Sequence, residues 1–575
     1  MAEIVLPEAG SRTRRLFEFR TLLFAAVLLT TLFLVLYPVV LIVFYSFSAA
    51  ETGADFVFGL DAWQRALREP AMFGTIINTV KLLVAINLIS FPVAIVISWV
   101  LARTDIPWRG GLEFMFWISF FLPSLSVTLG WIMCLDPEYG LLNKLVMFVF
   151  PFIEEPPFNI YSFWGIVWAH LGANAIAVKV MLLTPTFRNI DSSLEEASRV
   201  AGAGRLGTLA RIVVPAMAPA LIAILLMAMI RAMQSFEIEM VLGPAFQFYV
   251  YSTKVYTLIA QEPPEFGSAS ALATLGLAAI LPLIFAQRWI TSRRQYATLT
   301  GKLQTQPVRL GPWRIPVFLA VLTVVLLLTV VPLVFVGLAS TMKLFGFFNI
   351  RDPYTLDHWV TVLTDETFGQ AVTNTLSMAG GAGILSVVLF SLVAYFTVRT
   401  TFKARAILDF VSWLPFAVPG ILFGVGLLFV FLESPLFRPL YGTTWLLILA
   451  TVISSMTLGV QIIKSNMMQL GNELEEASRV AGASWWHTFT RVVLPIMVPV
   501  LLLVGIMNFI SAARDIASVA LVATAETKTL ALLQLDYMVE GRYEVASVAS
   551  FVVIILSTGI ALLARALGLR IGIRN

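Results

Sequence analysis

The sequence predicts an all-α polytopic membrane protein with about 12 transmembrane helices in two parallel six-helix repeats. Three observations predict it. The chain is 59% hydrophobic and 13% charged over 575 residues, whereas an average soluble domain carries about a quarter charged residues. Its apolar residues gather into runs long enough to cross the hydrocarbon core, which takes about 20 residues of helix. The string LEEASRVAGA occurs twice, at Leu194–Ala203 and Leu474–Ala483. A repeat at that distance means two homologous halves rather than a short-period solenoid.

The first half holds runs near 21–47, 75–101, 112–134, 160–184, 212–233 and 269–290. The second holds runs near 315–339, 371–398, 407–432, 443–464, 493–512 and 545–568. A closed barrel would instead show alternating strands of about ten residues, which the chain lacks. The first run is too long and too far from the terminus for a removable signal peptide, so it is read as an anchor that stays. Six crossings per half is even, so both halves enter from the same side, as a repeat about an axis along the membrane normal.

Lys and Arg set the orientation. Of the 38, 25 fall on the side that holds both termini. That places the N-terminus, the C-terminus, the linker and both repeated loops of a multi-pass membrane protein in the cytoplasm. The division is a first transmembrane domain over 1–290 with its loop at 191–215, a polar, basic linker over 291–314, and a second transmembrane domain over 315–575 with its loop at 471–495.

Several isolated residues have bland readings. Cys134, the one cysteine, excludes an intramolecular disulfide and reads as a buried, inert thiol. His170, His358 and His487 show no metal-ligand spacing. Lys81 and Lys179 lie near span ends and are expected to snorkel. Asn78-Thr79 and Asn374-Thr375 open the second span of each half and are read as helix starts.

The repeated loops carry the most information. Over Leu194–Pro215 and Leu474–Pro495, 14 of 22 positions are identical. Ser192 and Asn472 stand three residues before Glu195 and Glu475, a capping arrangement that also sets Glu195-Glu196 and Glu475-Glu476 at the positive end of a short helix. Gly202 and Gly482 permit a sharp turn. A second short helix carries Arg211 and Arg491, and Pro215 and Pro495 suit the first turn of the next membrane helix. A merely solvated loop would have no reason to keep Ala197, Ala201 and Ala203 alongside Ala477, Ala481 and Ala483. Small residues there point to close packing or to docking.

These residues resemble a known pattern, Glu-Ala-Ala, three residues, Gly, nine residues, Ile-x-Leu-Pro, which marks the permease subunits of bacterial ATP-binding-cassette importers. The copies here read Glu196-Ala197-Ser198, Gly202, Ile212-Val213-Val214-Pro215 and Glu476-Ala477-Ser478, Gly482, Val492-Val493-Leu494-Pro495. The resemblance covers the full length and implies two permease subunits of the type I importer fold fused in one chain. It further implies that each loop is a coupling element for an ATPase, with Glu195, Glu196, Ala197, Gly202 and Arg211 in one and Glu475, Glu476, Ala477, Gly482 and Arg491 in the other. The chain has no G-x-x-x-x-G-K-[ST] phosphate loop. It is therefore expected to be a transport subunit rather than an enzyme, with no cofactor of its own. The implied partners are two copies of a cytoplasmic ATPase, which bind ATP and Mg, one periplasmic or lipid-anchored substrate-binding protein, and membrane lipid, but no nucleic acid.

Symmetry places the pathway between the halves, lined by the spans after each loop. Polar residues late in those spans are the candidates for pathway or gate: Arg231, Gln234 and Glu237 in the first half, Asn508, Ser511, Arg514 and Asp515 in the second. The alternative is that Arg231 and Arg514 snorkel at the outer interface, or pair with Glu237 and Asp515. For cargo, the string Ser235-Phe236-Glu237-Ile238, with Leu242-Gly243-Pro244 after it, is similar to the ferric-iron importers. It departs at Glu239, where a proline often stands. Importers of thiamine or of 2-aminoethylphosphonate share the fused layout, and a small anion or a polyamine remains open as cargo. A proton-coupled secondary transporter also has twelve spans, but Glu113 and Asp409 at span ends make no proton relay inside the membrane.

Overall fold

The computed structural model describes residues 9–49, 56–189, 197–198, 200–293 and 307–566. Glu195 and Glu196 of the first loop, with its expected cap Ser192, lie outside these residues. Among the described residues the chain is helical, and extended backbone is limited to three isolated bridges. Ten helices are long and apolar enough to cross a membrane: Phe19–Tyr45, Pro70–Arg103, Phe163–Arg188, Ala218–Leu242, Phe266–Gln287, Gly311–Ser340, Glu366–Arg399, Thr444–Gln469, Trp485–Ala513 and Tyr543–Ala566.

The third crossing of each half is broken rather than straight. Arg109–Phe121 meets Ser124–Leu135 at 99°, and Arg405–Phe416 meets Gly420–Glu433 at 114°. Pro123 and Pro419 sit at the breaks with extended backbone, at ψ 133° and 145°. Proline lacks the N–H that would continue the ladder, and it disfavours helix in the residue before it. With each bent pair counted as one crossing, each half has six, as the sequence predicts.

The helices that leave the repeated loops also differ from expectation. Each passes into a π-helical segment, Leu209–Val213 or Phe489–Val493, in which the Val214 and Leu494 N–H groups reach back to the carbonyls of Leu209 and Phe489. The wider turn absorbs Pro215 and Pro495, whose rings would crowd a regular turn. In the second half the chain then runs on as Leu494–Ala513, with no separate short helix before the membrane; in the first half a short helix ends at the turn residue Met217, and Ala218–Met233 follows.

The chain forms two compact units, made up differently from the two sequence repeats. One unit gathers 1–42, 373–527 and 560–575. In it the opening helix seats its Pro38 on Gly426, where a Cβ would stand 2.7 Å from Pro38 Cβ. The other unit gathers 43–372 and 528–559. In it Pro332 of the helix Arg314–Ser340 seats on Gly130, where a Cβ would stand 2.5 Å from the Pro332 carbonyl oxygen. Within this second unit the end of the linker is docked. The Val308 N–H donates to Arg103 O at 2.8 Å. The Leu310 N–H donates to Asp105 Oδ1, also at 2.8 Å. Val308 and Leu310 are both buried.

Candidate functional site

Each repeated loop is built as helix, left-handed turn, helix. In the second, Glu473–Val480 forms the first helix; in the first, the described residues begin at Ala197. Gly202 has φ +82° and Gly482 φ +83°. The Ala203 N–H donates to Ser198 O at 3.0 Å, and the Ala483 N–H to Ser478 O at 3.1 Å. This closes the helix by the bond that a left-handed residue makes available, and L side chains disfavour that backbone. A Cβ at either glycine would meet nothing within 4 Å, so the requirement lies in the backbone alone.

Serine in the third place of the Glu-Ala-Ser motif has a partner in both halves. The Ser198 and Thr208 hydroxyls lie 3.0 Å apart, and those of Ser478 and Thr488 2.9 Å apart. The bond staples the two arms of the turn. Val200 and Val480 project from it, each 90% exposed, beside the exposed Gly202 and Gly482. Ala477, Glu476, Arg211 and Arg491 are exposed as well.

Glu475 does not cap or face outward. It is buried, accepts from the Tyr395 hydroxyl at 2.9 Å, and pairs with Arg399 Nε at 3.3 Å. The Asn472 side chain forms no cap bond; its Oδ1 accepts from Arg399 instead. The expected capping box is therefore replaced by a tie to the second span, Glu366–Arg399. Trp485 adds to this tie: its ring stacks on Phe489 and Phe396, and its Nε1 donates to the Tyr395 hydroxyl at 3.1 Å. Near the start of the third span, Glu113 pairs with Arg188 and Asp409 with Lys464.

The candidate pathway residues fall at equivalent places. Arg231 lies in the last turn of Ala218–Met233 and is exposed, and Gln234 follows it as the C-cap. Glu237 opens the helix Glu237–Leu242 and accepts from the Ser124 hydroxyl. Asn508 is buried in Leu494–Ala513, Ser511 is exposed, and Arg514 is the C-cap. Asp515 accepts from the Ser518 hydroxyl at 2.6 Å and from Ser454 at 3.4 Å.

Sequence reasoning passed over three groups of residues. Glu239 is fully buried; His170 Nε2 lies 2.7 Å from its Oε1, and the Ser235 hydroxyl donates to it at 2.6 Å. The departure from proline at this position was a signal, but His170 lies in another span and no local motif joins the two. Asn78 and Asn374 are not helix starts. They lie inside Pro70–Arg103 and Glu366–Arg399 and donate to Tyr249 O at 3.2 Å and to Glu526 O at 2.8 Å. In both halves, then, the second span holds the segment after the fifth. Lys179 does not snorkel: it is buried, and its Nζ donates at 2.9 Å to Ala175 O, a carbonyl at the end of a π segment. Cys134 is buried, as expected.

Known proteins match this arrangement. The family described as binding-protein-dependent transport system inner membrane component matches residues 91–296 and again 387–573. Ferric transport system permease protein FbpB of Actinobacillus pleuropneumoniae is 28% identical over 70% of this chain. The chain spans 58% of that relative's length, and 58% of a putative FbpB of Haemophilus influenzae. The probable ABC transporter permease y4fN of Sinorhizobium fredii is 26% identical over 89% of this chain and 90% of its own. Sulfate transport system permease protein CysT of Escherichia coli is 28% identical over 34% of this chain and 75% of its own. A solved chain of a bacterial ABC transporter that imports alginate superposes with a TM-score of 0.39 at 17% identity, over 49% of this chain and 99% of that one. Each family match contains one repeated loop, and the chain belongs to the binding-protein-dependent transport system inner membrane components, as two such domains in one polypeptide.

Proposed function

We propose that this chain is the membrane-spanning permease of an ATP-driven importer, with the loops at 191–215 and 471–495 each docking one copy of a separate cytoplasmic ATPase. An external binding protein, periplasmic or lipid-anchored, delivers a small solute. The observation that carries this reading is the repeated turn. Both copies have the same glycine backbone, the same serine–threonine staple and the same exposed valine. An apolar knob on a braced turn suits a groove on a partner, and it can pass a displacement to the membrane helix that follows it. The distribution of Lys and Arg supports a cytoplasmic place for both loops and both termini.

Ferric iron is the proposed cargo, supported by the two relatives named for ferric transport. A small oxyanion is the second reading, favoured by the relatives named for sulfate transport and by the exposed Arg231 at the end of its span. Co-purification with a cytoplasmic ATP-binding-cassette ATPase co-expressed with this chain tests the docking. Wild type is expected to retain it, and Gly202→Asp combined with Gly482→Asp to lose it. Undiminished binding by the double variant would overturn the docking role. Uptake of radiolabelled ferric iron and of sulfate by cells carrying the whole system separates the cargoes, and sulfate uptake without iron uptake would replace iron as the substrate.

A further inference from the structure

Between the bent third crossing and the fourth, the chain runs through a helix that crosses nothing, Leu141–Val149, and an irregular return to Phe163. Its outward face is apolar. Leu145, Phe148 and Val149 share one face of the helix and, with Phe152 in the turn after it, are 56%, 83%, 54% and 79% exposed. From Leu145 to Ile153 the chain carries nine consecutive apolar residues and no charge. In the spanning helices, exposed apolar side chains are what lipid contact requires. Here they need another account, because the segment does not span.

The segment is held firmly. The Asn143 amide, buried beneath the helix, donates to Asp136 O at 2.9 Å and to Phe158 O at 2.8 Å, and it accepts from the Phe158 N–H at 3.0 Å. Both legs of the excursion are therefore tied to one side chain. Lys144, just before the apolar run, turns its ammonium to the protein and donates to Gly346 O at 2.9 Å. The apolar face is left uncharged, on a rigid support.

Its depth is fixed by its neighbours. Four helix ends meet at this level: Leu135, Phe163, Ser340 and Tyr543. Tyr139 packs on Phe347 with ring centroids 4.9 Å apart, and the Tyr161 and Tyr543 hydroxyls lie 3.4 Å apart. Irregular backbone exposed to lipid is excluded from the hydrocarbon itself, so helix ends gathered at one level mark its boundary. That boundary is the one opposite the repeated loop, because the span Phe163–Arg188 leads from here toward it. Trp164 stands exposed at the start of that span, where aromatic side chains collect at membrane interfaces.

We propose that Leu145–Phe152 lies in the membrane interface opposite the first repeated loop, with the acyl–glycerol boundary of the lipids as its partner. The polar side of the helix is already satisfied by the protein, and its apolar side is covered by lipid. The second half has no counterpart: only a short connection links Glu433 to Thr444 there. This foot therefore belongs to one half alone.

Spin labels at Phe148→Cys and Phe152→Cys test the proposal, with Glu155→Cys as the aqueous control. Cys134 is buried and can remain, the unsubstituted chain giving the background labelling. Each variant would be purified as the full chain, checked as monodisperse, and reconstituted in vesicles of phosphatidylcholine and phosphatidylglycerol. At 148 and 152, collision with oxygen is expected to exceed collision with a water-soluble nickel chelate by several-fold, with the order reversed at 155. Nickel accessibility at 148 and 152 equal to that at 155 would overturn the proposal in favour of a solvated loop. Labels shielded from both reagents would overturn it in favour of a protein contact.

Discussion

Val519 and Ala450 stand 280 residues after Glu239 and His170, and both are fully buried. One half thus carries a buried carboxylate against a half-buried histidine where the other carries two apolar side chains. Breaking such a pair by removing one partner costs about 3–5 kcal/mol, because a charge is left buried alone, whereas an apolar replacement of both is often neutral. His170→Ala is therefore expected to lower the stability of the detergent-solubilised protein by that amount. The double variant His170→Ala with Glu239→Val, which copies the other half, is expected to recover most of it. Denaturant unfolding checks this, and a double variant no more stable than the single one would show that the pair is not what holds Glu239 in place. The residue could be singled out from the sequence as a departure from a pattern. Its partner could not, because the contact joins two spans and leaves no local spacing.

The repeated turn was the most legible element. Its glycines sit where the sequence places them, and so does the change of direction. The cap was misread because Asn472 and Glu475 had a stronger alternative: Arg399 from another span takes both. Ser478 and Thr488, which the motif leaves unexplained, turn out to brace the arms. Removing a net hydrogen bond of this kind costs about 1 kcal/mol, or about a fivefold change in an opening equilibrium. Thr488→Val is thus expected to speed tryptic cleavage at the exposed Arg479 by about fivefold, without a comparable change at Lys343. An unchanged rate at Arg479 would mean that the staple contributes nothing. The breaks at Pro123 and Pro419 were also present as residues. Hydropathy does not see them, since a bent pair of short apolar helices and one straight helix have the same composition.

At the scale of the whole molecule, the count of crossings and the duplication were legible, and the partition into compact units was not. Lipid tails are as apolar as a neighbouring helix, so composition does not say which crossings pack together. Backbone proximity at small residues does say so once the structure is known. Gly130→Ala and Gly426→Ala would each drive a Cβ into the proline of an opening helix, and overpacking of this kind costs about 1–3 kcal/mol. Gly380→Ala, where a Cβ meets nothing within 4 Å, is expected to be neutral or stabilising by comparison. Thermal melts of the three variants decide this, and equal melting temperatures would remove the glycine seats from the account. The seat of Pro38 also imposes an order in time. The opening helix belongs to a unit whose remaining residues begin at Thr373, so about 330 residues must be synthesised before its partner starts to emerge. At about 5–20 residues per second, this takes roughly 20 to 70 seconds. For that interval the newborn helix lacks the rest of its own unit, and its mean hydropathy of 2.8 suits a segment that must stay inserted until those residues arrive from the ribosome.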